Sequence, residues 1–316
     1  MKKLWLVVPC YNEEEMLPIT YMALKNKLNE LAERGLVSHE SRIAFVNDGS
    51  RDKTWELIAS YHEKDEAVVG INLAHNRGHQ NALLAGLMVA KDRADVTVSL
   101  DADLQDDVNA IDEMLEEYRK GAEIVFGVRS SRDKDTFFKR VTAEGFYKFM
   151  QKMGVDTEFN HADFRLMSKR ALEALSEYGE SNLFLRGIAK DIGFKTAVVK
   201  YERGARAKGE SKYHLRSMMT LAGNGITSFS TKPLQLAFFM ACLCGVLCFG
   251  TLVAAIICAA HPFSTRYAAP LLFGLAGIFF VGGLILLALS VLSLYIGRMY
   301  MESKERPRYH ISDILE

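Results

Sequence analysis

Two stretches of this sequence carry no charged side chain. Lys232 is followed by no Lys, Arg, Asp or Glu until Arg266, and Arg266 by none until Arg298. The apolar runs inside them are Leu234 to Ala260 and Leu271 to Gly297. A helix rises 1.5 Å per residue, so ~20 apolar residues cross a ~30 Å hydrocarbon core. Both runs exceed that, whereas a pair of buried helices in a soluble protein rarely goes so long without charge. The short linker between them, HPFSTRYAAP, suits the far-side turn of a hairpin. Basic residues set the orientation. Lys208, Lys212, Arg216 and Lys232 flank one end, Arg298, Lys304, Arg306 and Arg308 the other, and the turn holds Arg266 alone. Both termini and the domain before the runs are therefore expected in the cytoplasm, with the hairpin in the inner or plasma membrane. Met1 to Leu6 leads into a strand-like run rather than a signal peptide.

The expected division is a catalytic α/β domain over 1–212, a juxtamembrane amphipathic segment over 213–232, two spans within 233–298 (about 234–260 and 271–297), and a cytoplasmic tail over 299–316. Gly274, Gly277, Gly282 and Gly283 in the second run permit close helix packing, which leaves a homo-oligomer open. With 39 basic and 39 acidic side chains the net charge is zero, so no nucleic-acid partner is expected. Four of the five cysteines lie in the first run and read as small apolar residues.

In the first domain, Leu4–Val8, Arg42–Val46, Ala67–Leu73, Val96–Leu100 and Ile124–Val128 read as buried strands. Asn81–Lys91 reads as a helix, and Asn12 or a neighbour can cap a helix with Glu13, Glu14 and Glu15 in its first turn. Strands alternating with helices predict a mainly parallel sheet, whose ligands sit beyond the carboxyl ends of the strands. Pro9 to Asn12, Asp48 and Asp101 to Asp103 fall at those ends. The strand pattern fades after about residue 130. Beyond it, Phe137–Met153 and Leu215–Lys232 mix basic and aromatic or apolar residues, as helices in a headgroup layer or packed on the sheet would.

Asp101 and Asp103 straddle one residue, so both carboxylates can face one way. Such a pair suits Mg²⁺ or Mn²⁺ shared with substrate phosphates, and Gln105 can add a neutral oxygen. Asp48 can accept hydrogen bonds from a base or ribose, or serve the Asn-Asp-Gly turn it stands in.

Taken together, VVPCYNEEE, VNDGSRDKT, NRGHQNALLAGL and VSLDADLQDD resemble family 2 glycosyltransferases of the GT-A (Rossmann-like) fold. NHADFRLMSKRALEAL, NLFLRGIAKDIGF, ERGARAKGESKYHLRSMM, GITSFSTKPLQL and YIGRMYMESKERPRY resemble the polyprenyl-phosphate branch, which includes bactoprenol glucosyltransferase and stands near dolichyl-phosphate mannosyltransferase. The resemblance implies that Pro9, Tyr11, Glu13, Asp48 and Asp101 hold the nucleotide, and that Asp101, Asp103 and Gln105 serve the metal and diphosphate. Arg129, Arg206, Ser211 and Lys212 would meet the acceptor phosphate. Asp103 and Asp163 would be catalytic, Asp163 as a base or an orienting group near the acceptor, unless it is a helix N-terminal acid paired with Arg165. Asn47 departs from the family, many members of which carry Asp there.

The implied reaction is inverting transfer of glucose or N-acetylglucosamine from a UDP-sugar to polyprenyl phosphate. A phosphomonoester already carries about −1.5 to −2 charges, so the attacking oxygen needs no strong base. A processive polysaccharide synthase is the weaker alternative. It would need a Gln-x-x-Arg-Trp motif, and the tryptophans are Trp5 and Trp55. A non-catalytic partner of a glycan assembly complex would not need Asp101, Asp103 and Gln105.

Overall fold

The structure, a computed structural model, describes residues 1–129, 161–180, 185–202, short stretches between 234 and 253, and 268–316. Its strands are β1 (Leu4–Cys10), β2 (Arg42–Asn47), β3 (Val68–Leu73), β4 (Val96–Ser99), β5 (Ile124–Arg129), β6 (His161–Ser168), β7 (Thr196–Tyr201) and β8 (Ile311–Leu315). They form one sheet in the order β7-β5-β6-β4-β1-β2-β3-β8. Pairings β1·β2, β1·β4, β2·β3 and β5·β7 are parallel, while β6 and β8 run antiparallel to their neighbours. The five expected strands are present within a few residues of their predicted bounds. β6, β7 and β8 go beyond the sequence reading.

The helices are α1 (Leu17–Glu33), α2 (Thr54–Lys64), α3 (His79–Lys91), α4 (Ala110–Arg119), α5 (Lys169–Ser176), α6 (Leu185–Asp191) and α7 (Ala268–Glu302). α1 buries Leu17, Thr20, Leu24, Leu28 and Leu31, the spacing of one helical face. α3 lies directly on β1 and β2. A Cβ at Gly86 would come within 2.5 Å of Val7 Cγ1 and 2.7 Å of Val46 Cγ2, so only glycine allows this approach.

The helix expected after β1 starts later than predicted. Asn12 takes φ 53° and is no cap. α1 begins at Leu17 with no acid in its first turn. Pro18, which has no N–H to leave unsatisfied, suits that first turn.

Asp65 joins three elements at the opposite end of the strands from the site. Its carboxylate accepts from Lys25 Nζ (2.8 Å), Tyr21 Oη (2.9 Å) and the Ala67 N–H (3.0 Å). Burial alone would raise this carboxyl, but Lys25, Ala67 and Tyr21 outweigh it and hold it below the usual range. A depressed acid stabilises the fold above its unfolded pKa, and that contribution is lost as pH falls through the folded value. Asp65→Asn is expected to cost about 2 kcal/mol at pH 7. In denaturant unfolding, its gap from the wild type should narrow below about pH 4.

The chain forms two compact units, and the sheet unit includes Arg306–Glu316. In the other, the stretch expected as a second span lies in the helix α7, which is longer at both ends than Leu271–Gly297. Its segment Phe280–Glu302 is long and apolar enough to cross a membrane, and its most apolar stretch is not buried in the protein. Most of the first run, both predicted amphipathic segments, and Arg206, Ser211 and Lys212 lie outside the described residues.

Candidate active site at the strand ends

Register brings the predicted residues together. Pro9 and Cys10 pair with Val46 and Asn47, and Val7 pairs with Ser99. β4 therefore ends two residues short of Pro9, which has no partner on that side to miss its N–H. Beyond these ends, two loops are laced to each other. The Asn12 N–H donates to Ser50 Oγ (3.0 Å) and Arg51 N–H to Asn12 Oδ1 (2.9 Å). Glu13 N–H donates to Thr54 Oγ1 (2.9 Å), and Asp48 N–H to the Cys10 carbonyl (2.9 Å). Pro9, Tyr11, Glu13 and Asp48 thus share one rim, where Tyr11 is exposed.

Asp48 is buried and organises the neighbouring loop. Its two oxygens accept from the backbone N–H groups of Arg77 (2.7 Å) and Gly78 (2.9 Å), immediately before α3. Burial pushes its carboxyl up, against the pull of those two donors. Gly49, at φ 62°, lets this turn press on the same loop, since a Cβ there would sit 2.5 Å from the Asn76 nitrogen. Asn47 accepts from Ser50 N–H (3.2 Å) and donates to Asn72 Oδ1 (2.7 Å). A carboxylate could not make that donation, which accounts for asparagine at this position.

The acid motif follows β4. Thr20 Oγ1 of α1 donates to the Ala102 carbonyl (2.6 Å), pinning the residue between the two aspartates. Leu104 adopts φ 50°, and Gln105 N–H donates to Asp103 Oδ1 (3.2 Å) across that kink. Loss of surrounding water pushes the Asp101 carboxyl up to about 6; His79 opposes this, while Asp163, Asp106 and Asp103 add to it. Asp101 Oδ1 is buried and makes no hydrogen bond. A set of oxygen donors in which the Asp101 Oδ1 has no hydrogen bond, only the 3.5 Å approach of His79 Nε2, is of the kind a hard divalent cation takes, although no group of three or more His, Cys, Asp or Glu is poised for a metal among the described residues.

Asp163 is on a strand, β6, and is not a helix N-terminal acid; β6 is paired on both sides by β4 and β5, which fixes it as extended. The expected pairing with Arg165 is present: Arg165 Nη2 lies 3.0 Å from Asp163 Oδ1, both residues buried. His79, the first residue of α3, stands between two acids, its Nε2 3.3 Å from Asp163 Oδ2 and 3.5 Å from Asp101 Oδ1. The sequence reading did not single out His79, though it lies inside the block NRGHQNALLAGL.

Residues 5–176 match the family described as Glycosyl transferase family 2. The chain belongs to glycosyl transferase family 2. It is a glycosyltransferase, and its mixed α/β sheet, with the acid motif after β4, agrees with the fold that the sequence resemblance implies. The uncharacterized glycosyltransferase YkoT of Bacillus subtilis is 48% identical over 308 residues, covering 98% of this chain and 90% of that protein. The bactoprenol glucosyl transferase of Shigella phage SfV is 38% identical, covering 98% of each. A prophage bactoprenol glucosyl transferase homolog of Escherichia coli is 38% identical, covering 99% of each.

Of the residues expected to meet the acceptor in this glycosyltransferase, Arg129 is described. It ends β5, and its Nη2 lies 3.3 Å from Asp106 Oδ1.

Proposed function

We propose that this glycosyltransferase moves a hexose, glucose or N-acetylglucosamine, with inversion, from a UDP-sugar to a polyprenyl phosphate at the cytoplasmic face of the inner or plasma membrane. The observation that carries this reading is the end-to-end likeness to bactoprenol glucosyl transferases, which extends through the apolar C-terminal runs. A long isoprenoid stays in the bilayer, because each buried CH₂ is worth ~0.8 kcal/mol. The protein must therefore bring its site to the lipid.

The pairing of β8 supports two spans. Strands before and after α7 belong to one sheet. If α7 crosses the bilayer, the chain must cross an even number of times between Tyr201 and Ile311. The run Leu234–Ala260 is the segment able to supply the second crossing.

In the reaction, the rim of Pro9, Tyr11, Glu13 and Asp48 receives the nucleotide. Asp101, Asp103 and Gln105 would hold Mg²⁺ or Mn²⁺, which neutralises the departing diphosphate. Arg129, with Arg206, Ser211 and Lys212, meets the acceptor phosphate. Asp163 is tied to Arg165 and faces His79, an arrangement suited to orienting the acceptor or sugar rather than to taking a proton. The test is to incubate the full-length protein in detergent with radiolabelled UDP-glucose or UDP-N-acetylglucosamine and undecaprenyl phosphate. Label should move to an organic-extractable lipid. Failure with every common UDP-sugar overturns the reading.

A further inference from the structure

Beside the acid motif, buried Asp106 and Tyr201 surround the part-exposed Arg129 and have as yet no role of their own. β5 and β7 pair in parallel, and Arg129 is the register partner of Tyr201, so the last residues of both strands stand side by side. Asp106, in the loop after β4, sits over the pair. Its Oδ1 accepts from the Tyr201 hydroxyl and from Arg129 Nη2. Asp106 is 4% exposed, Tyr201 also 4%. The Tyr201 ring packs edge-on against Phe164, with centroids 5.3 Å apart. Burial and the Asp106 carboxylate both raise the Tyr201 phenol, so it remains a donor.

This is a costly arrangement to keep for packing alone. The atoms Asp106 Oδ2 and Arg129 Nε are buried and make no hydrogen bond, and a half-buried carboxylate–guanidinium contact without full satisfaction contributes little net stability. What it does provide is a fixed cation at a strand exit. A free arginine side chain samples many rotamers, and binding an anion would have to order it. Here the guanidinium is held on one side by Asp106 before any ligand arrives.

We propose that Asp106 and Tyr201 are positioning residues that hold the Arg129 guanidinium ready for the acceptor's phosphate. The proposal rests on the assignment of Arg129 to that phosphate. It gives the third acid of the LDADLQDD run a task separate from the metal-binding pair.

The experiment compares Arg129→Ala, Asp106→Asn, Tyr201→Phe and the double variant Asp106→Asn/Arg129→Ala, all full length. KM for undecaprenyl phosphate is read beside kcat and the Kd for UDP. Tyr201→Phe keeps the ring against Phe164 and deletes the hydroxyl alone, so it tests the idea even where Asp106→Asn folds poorly. Asp106→Asn is expected to raise the acceptor KM about tenfold, the weight of one charge-assisted hydrogen bond, and Tyr201→Phe about threefold. The Kd for UDP should not move. The double variant should be no worse than Arg129→Ala, since the pair acts through the arginine. Should Arg129→Ala raise KM while Asp106→Asn and Tyr201→Phe leave it alone, or should the double variant be additive, the positioning role is wrong. An unmoved KM in Arg129→Ala overturns the arginine's assignment and the positioning role together.

Discussion

Asp103→Asn is expected to lower the transfer rate at least about 100-fold at saturating substrates, as removal of transition-state charge stabilisation does elsewhere. Asparagine keeps the side chain's shape and an oxygen to accept the Gln105 N–H across the Leu104 kink. The loop should therefore survive, and the loss should report charge rather than structure. The measurement is initial rate of lipid-linked sugar formation across a Mg²⁺ titration, with circular dichroism to verify the fold. A rate within a few-fold of the wild type at ordinary Mg²⁺ would remove Asp103 from the metal set.

The largest stability effect is expected at Asp163. Its partner Arg165 is 2% exposed. Asp163→Ala would leave that guanidinium buried without its carboxylate, a loss of about 3–5 kcal/mol. At roughly 2–4 °C per kcal/mol for a domain of this size, the unfolding midpoint should fall by about 10 °C. Asp163→Leu combined with Arg165→Met should recover much of that loss, since a buried ion pair replaced by apolar groups is often neutral. Thermal unfolding of both proteins in the same detergent decides it. Equal stability of Asp163→Ala and wild type would mean that Arg165 finds another anion.

These two predictions differ in how far the sequence announced them. Asp48, Asp101 and Asp103 were readable because they follow the strand-like runs RIAFV and VTVSL, and a parallel sheet collects such ends on one edge. β6 was not readable. His161-Ala-Asp-Phe-Arg-Leu-Met-Ser places Asp163 and Arg165 on one face, and strand alternation with buried charge looks like a solvated segment. The charges are inside because they neutralise each other, a pairing that periodicity does not register. β8 is only Ile-Ser-Asp-Ile-Leu and gains its identity from β3. The Asp106–Tyr201 contact spans 95 positions and the His79–Asp163 contact joins a helix start to a strand. No local signal marks such meetings. The misplaced start of α1 has another cause: three glutamates after an asparagine satisfy the capping preference, but the chain spends those residues binding the loop at Ser50–Thr54.

One feature of the edge reaches into how the protein is made. Asn72 on β3 meets Asp313 across 241 positions, so the outermost strand comes from residues synthesised after α7. Until they arrive, β3 presents a bare row of N–H and C=O groups, the kind of edge that recruits stray chains. Synthesis must have passed α7 before that row is sealed. A copy that stalls before β8 keeps an open edge at β3, and the short closing strand is what covers it.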